Sequence, residues 1–141
     1  MTISIAEYYL EELEDWRNTI HVYLQEIELT QEWLQEILQQ NSVIGIAAKV
    51  EHFANWAELS KIKLSELHDK IGSLEMQLYE KDIPLGNELI SPGMNSEQKQ
   101  LRFNMSTIER EYLDTKYNCS EFVAESLLKQ SAKSEKNNPP E

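Results

Sequence analysis

Residues 5–40 read IAEYYLEELEDWRNTIHVYLQEIELTQEWLQEILQQ, with no glycine or proline anywhere in the run. Ala6, Leu13, Ile20, Ile27 and Leu34 recur every seven residues, and Tyr9, Trp16, Tyr23, Thr30 and Ile37 form a second column three residues on. Leu10, Leu24 and Leu38 widen this stripe, while Arg17 and Gln31 interrupt it with polar groups. A repeat near 3.5 residues suits one face of an amphipathic helix and suits strand alternation badly. The run therefore predicts a helix over 5–40, one that would bury nothing if it stood alone in water. Ordering each backbone residue costs about 1–2 kcal/mol, which burial of the apolar stripe must offset.

The pattern extends outward from this helix. Asn41 and Ser42 favour caps and turns, so they predict a break. A second column follows at Val43, Val50, Ala57, Leu64, Ile71 and Leu78, accompanied by Ile46, Phe53, Ser60, Leu67 and Leu74, and predicts a helix over 43–80. So short a break makes the two helices an antiparallel hairpin, each arm ~50 Å long at 1.5 Å per residue. Residues 81–95 hold Pro84, Gly86, Pro92 and Gly93 and read as a linker. Asn95 or Ser96 is then the expected cap of a third helix over 96–128, with Glu97 and Gln98 supporting its first turn. Its stripe runs Leu101, Met105, Ile108, Tyr112, Thr115, Cys119, Phe122, Ser126. Residues 129–141 are polar, end Asn-Asn-Pro-Pro-Glu, and predict a disordered tail. The expected fold is one all-α domain over 1–128, an elongated three-helix bundle with a coiled-coil-like hairpin.

Composition agrees. In 141 residues, 40% are hydrophobic and 27% charged, enough apolar matter for one modest core. The net charge of −12 is concentrated early: residues 1–42 carry nine acids and the single base Arg17. Phosphate binding needs clustered Lys and Arg, so direct contact with nucleic acid or anionic lipid is not expected. No apolar run approaches the ~20 residues that span a bilayer. The acidic start does not resemble a secretory leader, and a cytoplasmic protein is the default expectation.

Chemistry-bearing motifs are sparse. Carboxylate-bridged metal sites in bundles use Glu-x-x-His pairs, but Asn18, Lys49 and Ser65 precede His21, His52 and His68 by three. Neither a metal nor a cofactor is expected. Cys119, the only cysteine, excludes an internal disulfide and lies on the third stripe, where a small buried residue is the ordinary role. There is no nucleophile elbow and no phosphate-binding glycine loop. Arg17, Gln31, Ser60 and Thr115 interrupt apolar seams, and such groups either set register or face the wetter edge. No catalytic residues are assigned, and an enzyme is not expected.

The informative feature is an apolar surplus. Tyr8, Val22, Leu29 and Trp33 lie off the first stripe, and Trp56, Leu59 and Ile62 lie off the second. A turn near 42 puts residue 33 level with 51 and residue 22 with 62, along one half of the hairpin. The third helix covers the main seam in this reading, and a partner covers part of the surplus. Val22, Leu29, Trp33, Trp56, Leu59 and Ile62 are the candidate partner-binding residues. The expected function is a helical interaction or scaffolding module, self-associating or docking another protein. The alternative is an acidic inhibitor, antitoxin-like, occupying a basic site on a partner.

Val50-Glu51-His52-Phe53 together with Glu66-Leu67-His68-Asp69-Lys70-Ile71 resembles segments of small uncharacterised bacterial helical-bundle proteins. The resemblance covers about a sixth of the chain and implies neither an activity nor site residues.

Overall fold

The computed structural model describes residues 2–40 and 44–137, with side chains for all of these except 44 and 130–137. The expected break at Asn41 and Ser42 lies outside the described residues. The chain forms a three-helix bundle: α1 over Ile5–Gln40, α2 over Ile44–Gln77 and α3 over Pro92–Asn137. Each of the three helices packs against the other two.

The start of α1 is capped twice. The Ser4 hydroxyl accepts from the Glu7 amide at 3.1 Å and donates to the Glu7 carboxylate at 3.1 Å. Asn87, far along the chain, accepts from the Ile5 amide at 2.9 Å. Side-chain oxygens thus satisfy two of the amides that a helix start leaves without partners.

The linker is more ordered than its composition suggested. Tyr79–Glu80 (β1) pairs antiparallel with Ile83–Pro84 (β2), and Asn87–Leu89 makes one 3₁₀ turn. Lys81 and Asp82 both sit at positive φ, 49° and 66°. Two consecutive left-handed residues make the tight turn whose twist suits a two-residue hairpin. The Leu85 amide donates back to the Leu78 carbonyl at 2.9 Å and delivers a buried Leu85 to the core. A linker with its own buried anchor was not foreseen, because neither Lys nor Asp advertises left-handed backbone as Gly does.

The third helix also starts earlier than expected. Ser91, not Asn95 or Ser96, is the cap: its hydroxyl accepts from the Met94 amide at 3.1 Å, and Pro92 opens the helix, where its missing N–H costs nothing. Nor does α3 stop at 128. It runs to Asn137, so the segment expected to be a disordered tail is helical up to that residue. Gln, Ala, Lys and Glu in 129–136 all favour helix, and the first proline lies beyond it at Pro139.

Cross-helix contacts give the directions. Gln31 lies beside Glu58, His21 packs edge-on against His68, and Arg17 pairs with Glu75, so α2 runs antiparallel to α1. These contacts correct the register expected from a turn near 42. Trp33 falls level with the region of Trp56 rather than with residue 51, a displacement of more than one helical turn. Tyr9 meets Asn95, Glu12 meets Gln98, Tyr23 meets Glu109 and Glu26 meets Tyr112 at a constant separation of 86 residues, so α3 runs parallel to α1.

The core is continuous but has two centres. The longer one contains Leu13, Ile20, Ile27, Leu64, Leu67 and Ile71 with Leu101 and Tyr112. The second, near the hairpin end, contains Leu34, Ile37, Val50, Phe53, Cys119 and Val123. Trp56 packs against both. Every member of the first helix's main column, from Ala6 to Leu34, is buried.

Candidate interaction surfaces

The surplus apolar residues divide according to which helix covers them. Trp56 is half-buried, stacked on Tyr112 of α3 with ring centroids 5.5 Å apart and planes 10° apart. Its indole nitrogen is buried and makes no hydrogen bond within the described structure. Leu59 stays exposed beside it, on the rim of an α2–α3 groove of about 330 Å³ that also includes Lys63, Ile108 and Glu111. Ile62 is exposed further around α2.

The first-helix set behaves differently. Val22 is 51% exposed, Leu29 44% and Trp33 38%. At 100° per residue these three share one face of α1, turned on average about 140° from Ile20, Ile27 and Leu34, the buried edge. Glu12, Tyr23 and Glu26 engage α3, whereas Arg17 and Gln31 engage α2. The outer column therefore lies outside both seams, with Val22 the most exposed of the three and Trp33 the most covered. The six candidate residues do not form one patch: Val22, Leu29 and Trp33 share the outer face of α1, while Trp56 and Leu59 belong to the α2–α3 groove. Periodicity located each residue off its own stripe, but it could not say how the helices turn relative to one another.

The charge around the α1 column is one-sided. Glu32 lies three residues beyond Leu29, and Glu36 three beyond Trp33, one helical turn in each case. Glu7, Glu11, Glu14 and Asp15 continue the same outer face toward the start of the helix. None of these acids makes an ion pair among the described residues. The one base of α1, Arg17, is held by Glu75.

The α1–α3 seam carries a polar ladder that repeats after fourteen residues. In its first rung, the Tyr9 hydroxyl donates to Asn95 at 2.8 Å, and Glu12 accepts from Gln98 at 2.8 Å and from Arg102 at 2.7 and 2.8 Å. In the second, the Tyr23 hydroxyl donates to Glu109 at 2.7 Å, and Glu26 accepts from the Tyr112 hydroxyl at 2.8 Å and from Lys116 at 2.6 Å. Burial alone would raise the Glu12 carboxyl, but the bonds from Arg102 and Gln98 outweigh it and hold the group below its ordinary value. Tyr23 and Tyr112 are both pushed well above the usual phenol range, by burial first and then by the carboxylates that accept their protons. Gln98, expected to support a first helical turn, is instead fully buried and also donates to the Tyr9 carbonyl at 3.3 Å. The matching fourteen-residue spacings of Tyr9 and Tyr23, Glu12 and Glu26, and Arg102 and Lys116 were visible in the sequence as a signal of this pairing.

Other chemistry is thin. Among the described residues no three His, Cys, Asp or Glu side chains gather as a metal site would require. Burial pushes the Cys119 thiol up to about 11, so it is protonated at neutral pH and not poised as a nucleophile. A groove of about 450 Å³ between α2 and α3 is floored by Phe53 and Phe122, with Lys49 6.0 Å from the Phe122 ring centre. Phe103 and Tyr117 of α3 are exposed as well, fourteen residues apart and off the buried stripe. Their positions relative to Leu101 and Tyr112 would have flagged them. Among the described residues no helix is long and apolar enough to cross a membrane. No family model, curated protein or solved structure matches the chain.

Proposed function

We propose that this chain is a non-catalytic docking module that presents the outer face of α1 to another protein. The observation that carries the reading is the column Val22, Leu29 and Trp33, exposed on a helix whose opposite face is already fully buried. The spacing of these three matches the anchors of helix-against-helix recognition. A tryptophan with aliphatic neighbours is also the composition of an interface centre. The ladder on the α1–α3 seam and the caps at Ser4 and Asn87 hold this helix in place, so the column is presented in a preformed geometry. Both a second copy of the chain and a different protein fall within the reading.

The test places a photo-crosslinking residue at Gln25, exposed between Val22 and Leu29, and a control at Asn55 of α2. In the native host, Gln25 should give a discrete adduct that the control lacks. Leu29→Glu should abolish that adduct while helical circular dichroism is retained. A chain that is monomeric at high concentration and gives no adduct at Gln25 overturns the reading.

A further inference from the structure

The charge surrounding the exposed column points to its occupant, and this inference rests on the docking reading above. We infer that the partner is a basic amphipathic helix from a different protein, its apolar edge on Val22, Leu29 and Trp33 and its Lys or Arg residues against Glu32 and Glu36. A second copy of the chain fits poorly. In a parallel α1–α1 contact through this face Glu32 and Glu36 of the two copies confront each other, and in an antiparallel one they meet the level of Asn18, His21 and Gln25, which offers them no Lys or Arg free to pair. The only base available on α1, Arg17, already belongs to Glu75. Like charges placed across an interface disfavour that pairing, whereas opposite charges steer encounter and fix register. Of the bases of α3 at this level, Lys116 is taken by Glu26, which leaves only the exposed Arg110. Nucleic acid and anionic lipid share the wrong sign. The N-terminal half of the same face, with Glu7, Glu11, Glu14 and Asp15, extends the negative field along the direction a bound helix would follow.

The experiment uses the full chain and three labelled amphipathic helical peptides with one common Leu-based apolar edge. Their flanking positions are all Lys, all Glu or all Gln, and binding is read by fluorescence anisotropy. The Lys peptide should bind, the Gln peptide should bind at least fivefold more weakly, and the Glu peptide should not bind. Raising salt from 50 to 500 mM should weaken the Lys peptide several-fold. Combined Glu32→Gln and Glu36→Gln should weaken it several-fold, since each exposed pair contributes a few tenths to 1 kcal/mol. Leu29→Glu should abolish binding at unchanged helicity, and Leu59→Glu on α2 should leave it intact.

Equal binding of the Lys and Gln peptides, insensitive to salt, overturns the basic-partner inference and leaves the docking reading standing. So does a dimer, seen by light scattering, that Leu29→Glu dissociates. Lys-peptide binding that survives Leu29→Glu but is lost with Leu59→Glu moves the site to the α2–α3 groove and overturns both. Failure of all three peptides with a strictly monomeric chain overturns the basic-partner inference, and overturns the docking reading too when Gln25 gives no adduct.

Discussion

Single residues decide how firmly each piece of the bundle is held. Gly72 sits inside α2 with open space where a Cβ would go, so its backbone freedom in the unfolded chain is a pure loss on folding. Gly72→Ala should raise stability by about 0.5–1 kcal/mol, read from denaturant midpoints at unchanged slope. Trp56 carries a different prediction. Its indole nitrogen makes no hydrogen bond, but its ring stacks on Tyr112 and packs against both parts of the core. Trp56→Phe should therefore cost only about 1 kcal/mol, whereas Trp56→Ala should cost about 3 kcal/mol or more in chemical denaturation. Similar losses for the two variants would mean that the ring's bulk is not what joins the two core centres. Asp82, left-handed at φ 66°, is a third site: Asp82→Gly should stabilise the hairpin turn by several tenths of a kcal/mol.

Between elements, the α1–α3 seam makes stability depend on pH at both ends. Glu12 titrates below its ordinary value in the folded chain, so the unfolded state takes up protons first as pH falls. Its contribution is complete above about pH 4.5, the ordinary value, and is lost as pH drops below it. Tyr23 and Tyr112 behave in the opposite sense. The unfolded chain releases their protons near 10 while the folded one retains them, so stability is complete below about 10 and declines as pH rises further. Glu26→Gln removes the carboxylate facing Tyr112 and should make the alkaline decline shallower without abolishing it, because burial is the larger cause. Thermal melts from pH 7 to 11 on both proteins check this. A decline of equal steepness in the variant would show that Glu26 does not act on the tyrosine. Glu12→Ala should cost about 1–2 kcal/mol at neutral pH, chiefly through the buried Gln98 amide, since Arg102 is substantially exposed and its charge is screened by solvent.

At the scale of the whole molecule, three amphipathic helices meet in one up-down-up bundle, and a single outer face of the first is left with apolar side chains and no base. That face is where loss of function should be separable from loss of fold. Val22→Ser, at a half-exposed side chain, should lower stability by less than about 1 kcal/mol, and Trp33→Ser, at one 38% exposed, by about 1–2 kcal/mol, both read from denaturation curves. A larger loss would place them in the structural core instead. The amino-acid sequence determined that there are three long helices and which edge of the first is buried, because a seven-residue apolar repeat has only one way to leave water. Ala6 through Leu34 could be read directly for that reason. It also contained the acid excess of the first helix. It could not disclose the linker hairpin, whose left-handed residues are Lys81 and Asp82 rather than glycine, or the start of α3 at Ser91. The offset between α1 and α2, and the separation of Trp56 from Val22, Leu29 and Trp33, were decided only in three dimensions. Periodicity specifies a direction around each helix axis, whereas the rotation and axial shift of one helix against another come from side chains interlocking across the seam.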